Sequence, residues 1–150
     1  GLLANIKNIP SHENLGNAIH ALERMMHRGA IDADGKTGDG SGLLLSIPHK
    51  FMKKKALEEN VALPEQYAIA MVFSKNMQGI DLIYSYCQEN DLKVVFSRTV
   101  PVNTDALGEQ AKQSLPDITQ IFITPSSIMA TKRFEALLYV TRKELEVVMQ

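Results

Sequence analysis

The stretch Leu22-Glu23-Arg24-Met25-Met26-His27-Arg28-Gly29-Ala30, continued by Asp32, Asp34 and Thr37-Gly38-Asp39-Gly40-Ser41-Gly42, decides how this chain is read. An amphipathic pattern stops at a His-Arg-Gly corner. A loop carrying Gly29, Gly35, Gly38 and Gly40 together with Asp32, Asp34 and Asp39 follows, and only then does an apolar run begin. Glycine raises the entropic cost of ordering a loop. So much of it makes sense where backbone must come close to another strand, a ligand or a catalytic group.

Working outward, Ser11 is placed to cap a helix, because its hydroxyl can accept from the free amides of a first turn. Leu15, Ala18, Ile19, Leu22, Met25 and Met26 share one face of that helix, and Gly29 is placed to end it. Residues 1–7 read as a short strand with no approach segment, an expectation that points to a missing N-terminus. Beyond the glycine loop, residues 43–47 read as a buried strand, and Pro48 opens a helix to residue 57. Strands are expected at 67–73, at 93–98 (ended by Pro101) and at 118–124. Helices are expected at 81–90, from Thr104 or Asp105 to 115 with Pro116 as its breaker, and at 131–150. The last presents Phe134, Leu137, Leu138, Val140, Leu145 and Val148 as its apolar side. Strands and helices alternate with no repeat and no clear linker, which predicts a single α/β (α+β) domain over 1-150.

Hydrophobic residues make up 45% of the 150, enough for a real core, and the charged fraction is 22% with a net charge of -1. That balance offers no nucleic-acid surface and no acidic tail. Lys53-Lys54-Lys55 is the one basic run, and it reads as a solvated helix end. Apolar runs are far shorter than a membrane span, and no signal peptide is visible. One cysteine, Cys87, allows no internal disulfide, which fits a reducing, cytoplasmic setting. No nucleic-acid and no membrane partner is expected.

The glycine loop fits no common cofactor motif. Gly35-Lys36-Thr37 imitates the end of a phosphate-binding loop, but Ala30 stands where that pattern needs its first glycine, and a helix precedes the loop instead of a strand. Gly38-Asp39-Gly40-Ser41-Gly42 lacks the gap of a dinucleotide fingerprint. A calcium loop begun at Asp32 would put Thr37 at its required glycine and Leu43 at its required acid. His12, His20, His27 and His49 form no metal pair. Cys87 lies on the apolar face of a predicted helix, where cysteine is ordinarily an inert small hydrophobe. Arg28 leaves two readings open: a surface arginine on the last helix carbonyls, or a guanidinium fork clamping a neighbouring backbone or carboxylate.

Taken together, these residues resemble one family. The matching pieces are Leu22-Glu23-Arg24-Met25, His27-Arg28-Gly29-Ala30, Ala33-Asp34 and Thr37-Gly38-Asp39-Gly40-Ser41-Gly42. Further along come Ile47-Pro48-His49 with Phe51, Arg98-Thr99-Val100-Pro101-Val102, and Leu107-Gly108 with Ala111. Pro116, Gln120-Ile121-Phe122-Ile123, and Phe134-Glu135 with Leu138-Tyr139 and Arg142-Lys143 complete the set. The order and coverage are similar to the glutaminase region of the glutamate synthases, class II glutamine amidotransferases of the N-terminal-nucleophile fold. His-Arg-Gly is shared with other class II amidotransferases. Its combination with Thr-Gly-Asp-Gly and Arg-x-Val-Pro-Val is the more specific signal.

The resemblance implies a four-layer αββα architecture, incomplete in this chain. It implies acyl transfer, with glutamine hydrolysed to glutamate and ammonia and the ammonia passed to 2-oxoglutarate. The family begins with Cys-Gly-Val-Gly, its first cysteine being the nucleophile, and Gly1 matches the fourth of those residues. The chain is therefore expected to lack the nucleophile and the downstream half of the domain, and to be inactive alone. A tryptophan is usual in the family where Ser97 stands. Arg28 and Gly29 are the residues the resemblance places at the catalytic corner. Arg28 would position the terminal strand, and Gly29 would offer main-chain atoms where a side chain would collide. Thr37, Gly38, Asp39 and Gly40 would lie near that corner, Asp39 as a brace or cap. Glutamine is the implied substrate, and the remainder of a glutamate synthase large subunit the implied partner. FMN and an iron–sulfur cluster would belong to other parts of the full enzyme, with no cofactor in this segment. A non-catalytic small-molecule-binding or structural α/β module is the alternative reading.

Overall fold

A computed structural model describes residues 1–7, 9–25, 29–75 and 79–149. The described chain divides into two compact units, Gly1–Ile47 with Asn103–Ser114, and Pro48–Val102 with Leu115–Gln150.

The second unit is built on a three-stranded antiparallel sheet: β1 (Ala68–Ser74), β2 (Leu92–Thr99) and β3 (Asp117–Pro125), in the order β1-β3-β2. Around it stand α2 (His49–Glu58), α3 (Ile80–Glu89) and α5 (Thr131–Val148). Each of these elements lies where the sequence places one, α2 from Pro48 and the others from their apolar patterns. Pro48 serves as the N-cap residue of α2, a place where a missing amide hydrogen does no harm. The turn after α2 uses Asn60 in the left-handed region (φ 60), with Val61 N–H donating to the Ala56 carbonyl and Asn60 N–H to the Leu57 carbonyl. That is the helix-ending pattern a glycine usually supplies.

The central strand, β3, is covered on both faces. Ile121 and Ile123 pack with Leu92 of β2, Ile83 and Cys87 of α3 and Phe134 of α5. Because side chains alternate along a strand, Phe122 points the other way. It stacks on Phe96 with ring centroids 5.0 Å apart and approaches Tyr67 at 6.3 Å. α2 reaches this second face through His49 Nδ1, 2.8 Å from the Tyr67 hydroxyl, and through Phe51, whose ring faces the Arg98 guanidinium at 6.0 Å. A bulge between Val94 and Phe96 shifts the β2–β3 register. It brings Phe96 opposite Phe122 and Arg98 opposite Gln120.

The first unit holds α1 (His12–Glu23), a 3-10 turn at Thr104–Ala106 and the short helix α4 (Glu109–Gln113). Ser11 Oγ accepts from Asn14 N–H, as its position predicts. α1 then stops at Glu23, six residues ahead of the expected glycine stop. Arg24 N–H closes on the His20 carbonyl and Met25 N–H on that of Leu22. Its apolar stripe is half-buried at Leu15, Ala18 and Leu22, while Ile19 and Met25 are exposed.

Two strand expectations fail. Residues 1–7 and 43–47 pair with nothing among the described residues, and Leu2, Ile6 and Leu44 are more than nine-tenths exposed. Their composition suits strands, but a strand needs a neighbour to take its backbone hydrogen bonds. At the first segment Asn5 Oδ1 instead accepts from Lys7 N–H and bends the chain. The connection after Pro101 also differs in detail. Asn103, ahead of both residues expected there, caps the 3-10 turn by accepting from Asp105 N–H, and α4 starts separately after Gly108. On α5, Val140 and Val148 are exposed, and Thr141 takes a buried place beside Phe134, Leu137, Leu138 and Leu145.

Candidate functional site

The glycine loop folds into a small hairpin in the first unit. Ile31 and Gly38 form an antiparallel bridge. Asp32 N–H donates to the Thr37 carbonyl at 2.7 Å, and Gly35 N–H donates to the Asp32 carbonyl at 2.9 Å. Gly35 has φ +69, a conformation a side chain resists. At the open end, Ala30 is held twice by Asp39. Its N–H donates to the Asp39 carboxylate at 3.0 Å, and its carbonyl accepts from Asp39 N–H at 3.3 Å. A Cβ at Gly38 would stand 3.0 Å from the Ala30 carbonyl oxygen, so this glycine is set by close backbone approach.

The centre of the loop is Asp34. Its Oδ1 accepts from Lys36 N–H at 2.9 Å and from Thr37 N–H at 2.7 Å, and its Oδ2 accepts from the Thr37 hydroxyl at 2.5 Å. The Gln110 amide, in the first turn of α4, adds a small favourable interaction with this carboxylate. These bonds favour the charged form, the Thr37 hydroxyl foremost, and hold the carboxyl well below the usual carboxylate range. Thr37 Oγ1 in turn accepts from Ala111 N–H at 3.4 Å. Gly108 lies against the same group, and a Cβ there would collide with Thr37 Oγ1, Asp34 Oδ2 and the Thr37 amide nitrogen. The hairpin thus joins residues 30–39 to 108–111 through Asp34, Thr37, Gly108 and Ala111, which lie far apart along the chain.

Of the residues the sequence singles out, Arg28 lies outside the described residues. Gly29 is exposed at a bend immediately before Ala30. Thr37 is half-buried, while Gly38 and Asp39 are exposed. Gly40 has nothing within 4 Å of where a Cβ would stand, so sterics do not demand glycine there. Asp39 braces the loop, as one reading of it expects. Gly108 was visible only as a piece of a resemblance, and Asp34 as one of the aspartates of the glycine loop. The spacing Asp34-x-x-Thr37 is itself a turn signal, yet nothing in sequence separation ties it to residue 108.

Elsewhere, Cys87 is fully buried between α3 and the sheet, and burial pushes its thiol up, the opposite of an activated nucleophile. It borders an apolar groove of about 590 Å³ that runs along β1 beside Leu138, Leu145 and Met149. Among the described residues no cluster of His, Cys, Asp or Glu could hold a metal ion, and no helix is long and apolar enough to cross a membrane.

Residues 1–150 match the family described as glutamine amidotransferases class-II. Over 97% of its length the chain is 35% identical to ferredoxin-dependent glutamate synthase 1, chloroplastic/mitochondrial, of Arabidopsis thaliana. It is 36% identical to the glutamate synthase [NADPH] large chain of Bacillus subtilis (strain 168) and 32% to that of Azospirillum brasilense, again over 97%. It spans 9–10% of the length of these relatives. With a match that runs over its whole length, this chain belongs to the class-II glutamine amidotransferases.

Proposed function

We propose that residues 1-150 are the N-terminal part of a glutaminase domain of the glutamate synthase type. In this reading the complete enzyme hydrolyses glutamine to glutamate and ammonia and passes the ammonia to 2-oxoglutarate. The observation that carries it is the family match over the whole chain, joined to a loop in which Asp34, Thr37, Gly108 and Ala111 meet.

The chemistry needs a thiolate that attacks the side-chain amide, ammonia as leaving group, and water to release glutamate from the thioester. Cys87 is a poor candidate for that thiolate, being buried in the second unit with its thiol pushed up. In this reading, as the resemblance implies, the nucleophile is a residue outside these 150. On the same reading Arg28, outside the described residues, and Gly29 are the residues that orient it, and Thr37, Gly38, Asp39 and Gly40 support them. The remainder of the large subunit completes the substrate site. FMN and an iron–sulfur cluster belong to other domains in this reading. One buried cysteine cannot supply the several thiolates a cluster requires.

The four-layer αββα arrangement is part of the same proposal. α3 and α5 cover one face of the sheet. On the other face Met71 and Phe73 remain exposed, at 47% and 63%, a surface that a second sheet would cover. The test is ammonia release from glutamine by the natural full-length protein and by the 150-residue chain. The full-length protein is expected to release ammonia and the short chain is not. Activity in the short chain would overturn the assignment of the nucleophile, and none in the full-length protein would overturn the function.

A further inference from the structure

We infer that Asp34 and Thr37 are positioning residues for glutamine hydrolysis, acting as a helix cap supplied from elsewhere in the chain. The inference rests on the glutaminase reading above and concerns how its catalytic corner is held. A helix leaves its first amides without partners, and the N-cap side chain normally accepts from the second or third of them. At α4 the N-cap is Gly108, extended at φ -70 and ψ 162, and it has no side chain to offer. The two amides a cap would serve are those of Gln110 and Ala111. The Ala111 amide donates to the Thr37 hydroxyl at 3.4 Å, and the Gln110 amide faces the Asp34 carboxylate closely enough to favour its charged form. The space a Gly108 side chain would fill is the space Asp34 and Thr37 occupy. Glycine at 108 is therefore a socket, and the Asp34–Thr37 turn is its plug.

The plug is continuous with the corner. The Thr37 carbonyl accepts from Asp32 N–H, Gly38 bridges Ile31, and Asp39 grips Ala30 by both its N–H and its carbonyl. Ala30 follows Gly29 directly, so a plug pulled from its socket frees the strand pair that sets the direction of Gly29. Neither Asp34 nor Thr37 need touch substrate for this to matter. Displacing reacting groups by about 1 Å costs on the order of a hundredfold in rate.

The experiment uses the natural full-length protein. Thr37→Val keeps the shape and removes the hydroxyl, Thr37→Ser keeps the hydroxyl, and Gly108→Ser gives α4 a cap of its own. Thr37→Val and Gly108→Ser are expected to lower kcat for glutamine hydrolysis by about tenfold or more with KM changed by less than about twofold, and Thr37→Ser to restore most of it. Hydrogen exchange read by mass spectrometry is expected to speed up at peptides spanning residues 30–39 and 108–111 in the two damaged variants. Unchanged kcat in Thr37→Val, or equal loss in Thr37→Ser, would overturn the positioning role while leaving the glutaminase reading intact. A wild-type protein without glutaminase activity would overturn that reading, and faster exchange in Thr37→Val would then mark the plug as structural only.

Discussion

Thr141 offers a test whose sign is opposite to the usual expectation for a buried substitution. It lies on α5 with 4% of its surface exposed, and its hydroxyl has no hydrogen-bond partner among the described residues. A buried polar group left unpaired costs about 1–3 kcal/mol. Valine has nearly the same shape and a similar helix propensity, so Thr141→Val removes that cost and adds a methyl group to the apolar groove beside Leu138 and Leu145. A gain of about 1 kcal/mol is expected, which for a chain of this size is a rise of roughly 2–4 °C in Tm. Urea denaturation should show a higher midpoint with an unchanged slope. Thr124→Val is the matched control. Its hydroxyl, equally buried, donates to the Lys93 carbonyl at 3.5 Å, and losing so long a bond should cost up to about 1 kcal/mol. If Thr141→Val instead destabilised by about 1 kcal/mol or more, the hydroxyl would be making a bond and the reasoning about its burial would be wrong.

Phe122 is fully buried between Phe96 and Tyr67, so Phe122→Ala should cost about 3–5 kcal/mol by denaturation; a cost below about 1 kcal/mol would mean that this second face of the sheet is not packed. Cys87 should resist a thiol reagent at neutral pH until denaturant is added, since it is buried and its thiol is pushed up; labelling of the native protein at the rate of a free thiol would contradict this. The Asp34 carboxyl is depressed when folded, so its contribution to stability is complete above its ordinary value of 3.8 and drains away as pH falls below that. Carbon NMR of the carboxyl should follow that low titration, and Thr37→Val should move it back toward 3.8; an Asp34 that titrates at the ordinary value in the wild type would refute the hydrogen-bond network.

Much of this molecule is written in short-range patterns. The periods that give β1, α3, β2, β3 and α5 are local, and so are the signals of Ser11 as a cap, Pro48 at a helix start and Pro101 at a strand end. Cys87 on an apolar helix face and the family motifs around Thr37 to Gly42 were also legible without coordinates. Local patterns fail where the deciding partner is distant. The leucines of residues 43–47 have the composition of a strand, but a ladder needs a neighbour, and composition cannot supply one. Gly40 and Gly38 look alike in sequence, yet only Gly38 meets a carbonyl.

The chain alone determined its family, its helices and most of its strands, because hydrophobic period, caps and motif order are properties of neighbouring residues. Tertiary structure decided that β3 is the central strand, that a bulge sets Arg98 opposite Gln120, and that Gly108 is the socket for Asp34 and Thr37. Those facts depend on which distant segments come together. The physical reason is that hydrogen bonds and close contacts between remote residues are chosen by how the whole chain packs, which no window of the sequence contains.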